Sequence, residues 1–153
     1  MRFYLILLVF FSSFVLAAWP TGGLMYNDED DKKIALGVFP QGHLNVGGSL
    51  DIVNNAGATG LAALHPDGNW KDATSPGCLC EGWSAGATSS RDGRQYHGDA
   101  SVHNGGINNI NVKNFVVDTT SIESYVSIKN TRTNEDMLEV RHIYSPSKLA
   151  TDE

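Results

Sequence analysis

Cys78 and Cys80, the only cysteines of a 153-residue chain, stand in Thr74-Ser75-Pro76-Gly77-Cys78-Leu79-Cys80-Glu81-Gly82-Trp83. Residues two apart on an extended strand have Cα atoms about 6.6 Å apart, near the long end of disulfide geometry. The Pro-Gly turn can tighten that spacing. A local disulfide closing so small a ring contributes at most about 1.5 kcal/mol by loop entropy, less strain, so it would fix a turn rather than hold a fold together. Two separate thiols and metal ligation are the other readings. Two thiolates cannot complete four-coordinate zinc, so a metal would have to recruit His65, His97 or His103.

The remaining polar residues have plainer explanations beside their chemical ones. His65 closes an apolar stretch before Pro66, and His97 and His103 flank Gly98-Asp99. His43 follows a Pro-Gln-Gly turn, and His142 shares the apolar parity of a strand, where it reads as a hydrogen-bonded core or edge residue. Asp67-Gly68-Asn69 with Asp72, and Asp92 with Asp99, supply loop oxygens that Ca²⁺ could use, although turn-forming side chains account for them. The run Asn27-Asp28-Glu29-Asp30-Asp31 reads as a solvated acidic turn, since it lacks the spaced ligands and central glycine of a Ca²⁺ loop. Trp70, Trp83 and Tyr96 could offer flat faces to a sugar, but the nine aromatic residues beyond residue 17 are needed first for a core. The candidate ligand loop drawn from these is His65, Asp67, Trp70, Trp83, His97, Asp99 and His103. No catalytic residue, cofactor or metal is assigned. Gly-x-Ser-x-Gly, His-Glu-x-x-His and phosphate-binding Gly-Lys-Thr patterns are all missing, and no nucleophile–base or paired-carboxylate motif replaces them.

The elements that would position these residues are strands. Fourteen of the 16 glycines precede residue 100. There, short apolar stretches (34–39, 43–53, 60–65 and 79–83) alternate with turns at Pro40-Gln41-Gly42, Asn54-Asn55-Ala56-Gly57, Pro66-Asp67-Gly68-Asn69 and Pro76-Gly77. Further on, Ile122, Val126 and Ile128 share one parity against Glu123, Ser127 and Lys129. Leu138, Val140, His142 and Tyr144 share another against Glu139 and Arg141. Ile110 and Val112 start the same alternation, and Phe115 and Val117 continue it in the opposite phase, which a β-bulge near Lys113-Asn114 would absorb. The spacing predicts a three-stranded meander over 107–118, 121–130 and 137–145. Nowhere do apolar residues keep the 3.6-residue period of a helix over 12 residues. The expectation is an all-β, antiparallel sandwich or partly open barrel of seven to nine strands with long glycine-rich loops. A strong strand close to the last residue leaves two readings open: a longer protein, or a subunit completed by its neighbour.

Composition agrees. Beyond residue 17, 27 of 136 residues are Leu, Ile, Val or Phe, at the lower edge of what supports a packed core. Gly, Pro, Asn, Asp and Ser make up 55 of the same 136. The net charge is −6, and ten basic against 17 acidic residues beyond residue 17 argue against nucleic-acid binding. Met1-Arg2, the apolar run from Phe3 to Leu16 and the small residues at Ala17 and Ala18 form the layout of a secretory signal. About 14 apolar residues fall short of the roughly 20 that span a bilayer. The predicted organisation is therefore a signal peptide over 1–17, a flexible acidic leader over 18–33 and one β-domain over 34–153. No transmembrane segment is expected after signal removal.

The blocks Pro40-Gln41-Gly42-His43-Leu44-Asn45-Val46-Gly47-Gly48, Asn55-Ala56-Gly57-Ala58-Thr59-Gly60-Leu61 and Asp72 to Trp83 resemble the front part of a group of exported bacterial β-proteins. Some of that group end in a PEP-CTERM-type sorting segment. Arg141 to Ser147 resembles a later strand of the same group, so the likeness runs from about Leu36 to Ser147. It implies an extracellular or cell-surface β-module and no catalytic residues. Ser84-Ala85-Gly86 departs from the pattern, and no sorting segment is present. The expected function is a non-catalytic secreted or surface domain for adhesion, matrix or assembly. Its partners would be copies of itself, other surface proteins or glycans. The alternative is an extracellular carbohydrate-binding module or hydrolase using the loops of 54–106.

Overall fold

The computed structural model describes residues 22–28, 30, 32–47, 58–74, 81–101 and 106–146. Among these residues twelve strands follow one another, beginning with β1 (Gly23–Tyr26), β2 (Ile34–Val38), β3 (Val46–Gly47), β4 (Ala58–Thr59), β5 (Leu61–Leu64) and β6 (Trp70–Asp72). They continue with β7 (Gly82–Thr88), β8 (Gln95–Ser101), β9 (Ile107–Asn108), β10 (Ile110–Val117), β11 (Ile122–Lys129) and β12 (Asp136–Tyr144). No helix occurs among the described residues, so none is long and apolar enough to cross a membrane. Nine of the strands have three residues or more, and β3, β4 and β9 are two-residue pairings. Four antiparallel sheets result, β1-β2-β5-β6, β3-β4, β7-β8-β9 and β10-β11-β12, and none closes into a barrel.

The meander forms as its parities demand. Ile122, Val126 and Ile128 are fully buried, and the register between β10 and β11 shifts between Val112 and Asn114, at the bulge the phase change requires. Two details differ from the alternation. Ser127, on the outward parity, is buried because Asp136 accepts its hydroxyl at 2.8 Å and Asn111 reaches it at 3.4 Å. Ile107 and Asn108 leave the meander and pair with β8. Asn109 makes that corner, in the left-handed region at φ 54° that asparagine tolerates. Its amide donates to the carbonyls of His97 at 3.1 Å and Lys129 at 2.9 Å, tying both sheets to one side chain.

One face of the meander carries the core. At one end Ile122 packs with Met25 and Val38, joined by Leu36, Leu44, Phe115 and Tyr144. At the other end β8 approaches so closely that a Cβ on Gly98 would lie 2.9 Å from both Ile110 Cδ1 and Ile128 Cγ1. Only glycine permits that approach. The β1 and β8 sheets thus cover the meander from its two ends, a sandwich-like arrangement.

The acidic leader needs a correction. Residues 23–26 form β1, in register with β2 from Gly23↔Val38 to Tyr26↔Ala35, and Met25 is 5% exposed. A two-glycine entry and an acidic flank hide a strand that buries only one large side chain. The acidic turn itself is an Asx cap: the Asn27 side-chain oxygen accepts the Lys33 and Ile34 N–H groups at 3.2 and 2.7 Å, closing the β1–β2 hairpin. The strand expected over 79–83 begins at Gly82 and runs to Thr88, and only Leu44 and β3 represent the stretch over 43–53 among the described residues. The predicted signal segment lies outside the described residues.

Candidate functional site

Among the described residues, a gathering of titratable and aromatic side chains surrounds the turn after β2. Phe39 N–H donates to the His43 carbonyl at 2.7 Å and Gly42 N–H to the Phe39 carbonyl at 2.8 Å, closing the turn on itself. Three carbonyls then face outward from it, and each receives a donor from a different strand. The Ser124 hydroxyl of β11 donates to Pro40 O at 2.6 Å. The Trp83 indole of β7 donates to Gln41 O at 2.8 Å. The Tyr144 phenol of β12 donates to Gly42 O at 2.8 Å. On the far side Leu44 N–H donates to a Glu81 carboxylate oxygen at 2.6 Å. Register explains why the donors converge: Ser124 pairs with His142 and Ile122 with Tyr144, so adjacent rows of the meander's inner face present Ser124, His142 and Tyr144 to the turn.

His142 fills the space beneath. Its ring lies 4.5 Å from the Trp83 ring and is stacked on Tyr144 at 6.3 Å. Gly42, at φ 83°, sits directly over it, and a Cβ there would meet His142 Cδ2 at 2.5 Å. His43 stacks on Phe39 at 4.7 Å and is 3% exposed. His43 Nδ1 and His142 Nε2 have no hydrogen-bond partner among the described residues. His142 is thus half-buried among rings, with its Nε2 unpaired among the described residues rather than hydrogen-bonded.

Burial sets the charge states. It pushes the His43 imidazole down to about 4 and lowers that of His142, so both are neutral at neutral pH. Burial raises the Glu81 carboxyl, opposed by the hydrogen bond from Leu44. Tyr144 is pushed up to about 12 by burial and by the nearby Glu81 charge. These groups face peptide groups and one another, and among the described residues no three His, Cys, Asp or Glu side chains gather as a metal site. The arrangement acts as a latch, seating one turn across three strands from two sheets.

The residues of the candidate ligand loop are spread over the surface rather than brought together. His65 and Asp67 belong to the β5–β6 turn, where Lys71 lies 3.3 Å from His65 Nδ1 and 3.2 Å from Asp67. Asp67 also accepts Asn69 N–H at 3.0 Å, an Asx turn that lowers its carboxyl. Trp70 packs against Tyr26 at 6.2 Å, in a different sheet from Trp83. Tyr96 shares a face with Trp83, but Trp83 pairs with Ala100 and Tyr96 with Ala87, four residues along the strand or roughly 13 Å. The three aromatics therefore make no common platform. His97 and Asp99 point to the opposite face of β8, where Asn108 donates to Asp99 at 3.1 Å. Cys78, Cys80 and His103 lie outside the described residues.

His43, Glu81, His142 and Tyr144 stand in three separate stretches of the sequence. The chain separation of 102 residues between Gly42 and Tyr144 hides their meeting. A second feature is an open cavity of about 330 Å³ lined by Arg94, Gln95, Tyr96, Asn130, Thr131 and Arg132. No protein family, curated protein or solved structure matches the chain.

Proposed function

We propose that this chain is a non-catalytic, exported β-module that works at a cell surface or in an extracellular matrix, through adhesion or assembly. The observation carrying this reading is the inward direction of the titratable side chains clustered at the turn after β2, among the described residues. His43, Glu81, His142 and Tyr144 are committed to a backbone turn, where a general base or nucleophile would have to reach a substrate. The apolar leader and the likeness to exported β-proteins support the location. Expression of the full chain in a bacterial host tests it. The expected product lies outside the cytoplasm and begins at Ala18 or Trp19. Unprocessed chain held in the cytosol would count against the proposal.

The cavity at Arg94, Tyr96 and Arg132 favours glycan binding as a second reading. Two guanidiniums beside an aromatic ring suit an acidic sugar, whose carboxylate they would pair and whose ring the tyrosine would support. Retention on a uronate-containing polysaccharide, lost in Arg132→Ala, supports that role. Equal retention on neutral glycans removes it.

A further inference from the structure

Strand β12 is an edge. Its inner side pairs with β11, and no described strand pairs with its other side. Along Asp136–Tyr144, therefore, the outer edge is unpaired among the described residues. Ile143 on this strand is 60% exposed, the most exposed large apolar side chain of the described residues. The occupant can be read from the strand itself. A second copy joined antiparallel about a two-fold axis perpendicular to the sheet keeps inner and outer faces continuous, so the axis must pass through a residue. Val140 is the middle residue of β12, and centring there pairs Leu138 to His142, the regular stretch beyond the bulge at Met137, where Ile128 pairs with Leu138 but Lys129 with Asp136. Within that stretch Glu139 faces Arg141 of the other copy on the outer side, twice over. The inward rows place Leu138 against His142 and Val140 against itself. Moving the axis one residue either way sets Glu139 against Glu139 or Arg141 against Arg141, which repel.

We infer that two copies of this chain pair through β12 with Val140 on the axis, forming one six-stranded sheet from both meanders. Within each copy Arg141 already reaches Glu123 at 2.6 Å, so pairing extends that bond into a Glu123–Arg141–Glu139 bridge between copies. The inference names the partner in the assembly role proposed above and rests on that role only for its setting.

Sedimentation of the purified protein, alone and as charge variants, decides it. Wild type should dimerise, and Arg141→Glu or Glu139→Arg should each raise the dimer dissociation constant at least about tenfold. Mixing the two variants should restore a heterodimer, because the paired acidic side chains of the first then face the paired basic side chains of the second. That rescue also shows that both variants fold. A wild type that stays monomeric at about 100 μM overturns the pairing, as does a dimer indifferent to either reversal. A monomer still exported and retained at the surface would sink the pairing and leave the broader reading standing.

Discussion

Acid should loosen the latch, and His43 sets the size of the effect. In the unfolded chain its imidazole takes a proton near pH 6.5, while burial holds the folded group at about 4. Between those values the unfolded state binds more protons, so stability is complete above pH 6.5 and falls as the pH drops toward 4. At 1.36 kcal/mol per tenfold, the full loss is up to about 3 kcal/mol. That is a large share of the roughly 5–15 kcal/mol by which domains are stable. His142 is lowered too and adds in the same direction, whereas Glu81, raised by burial, binds its proton more readily in the fold and offsets part of the loss. Denaturant unfolding of wild type and His43→Phe at several values from about pH 7 to about pH 4 isolates the term. Phenylalanine keeps a ring against Phe39 and takes no proton. Whatever its cost at neutral pH, the variant should lose about 3 kcal/mol less than wild type over that span. Parallel loss in the two chains would refute a buried neutral His43.

Gly42→Ala places a Cβ at φ 83° and 2.5 Å from the His142 ring, and should cost at least about 2 kcal/mol by denaturant unfolding. Gly98→Val forces β8 away from Ile110 and Ile128 and should cost about 1–3 kcal/mol, while far-ultraviolet circular dichroism still reports β-structure. Trp83→Phe retains a ring against His142 but removes the donor to Gln41 O, for a loss of about 1–2 kcal/mol and an altered near-ultraviolet spectrum.

What the sequence shows of this fold follows from how each element is stabilised. The meander is legible because β11 and β12 bury alternate large side chains, and the bulge is legible because a one-residue slip reverses faces. The β7–β8 hairpin is not, since between Trp83 and Tyr96 at its ends the inward face is Ala85, Ala87, Gly98 and Ala100, small residues suited to close approach and silent in any hydrophobic period. Strand β1 is concealed in the same way, by Gly23 and the acidic turn behind it. The candidate site is harder still. Its donors Trp83, Ser124 and Tyr144 belong to three strands and meet only through register and sheet packing, which residue types alone do not encode. The aromatic and acidic residues picked out as a ligand loop share composition with a binding site but not location.

Amide hydrogen exchange at the turn tests the latch most directly. Leu44 N–H is held by Glu81 and Gly42 N–H by Phe39 O, and the turn's carbonyls are tied to three strands. Both amides should exchange about as slowly as those of β11. Removing two of the ties, in Trp83→Phe with Tyr144→Phe, should release Gly42 and Leu44 while β11 stays protected. Wild-type Leu44 exchanging at the rate of an open loop, with β11 still protected, would contradict the account.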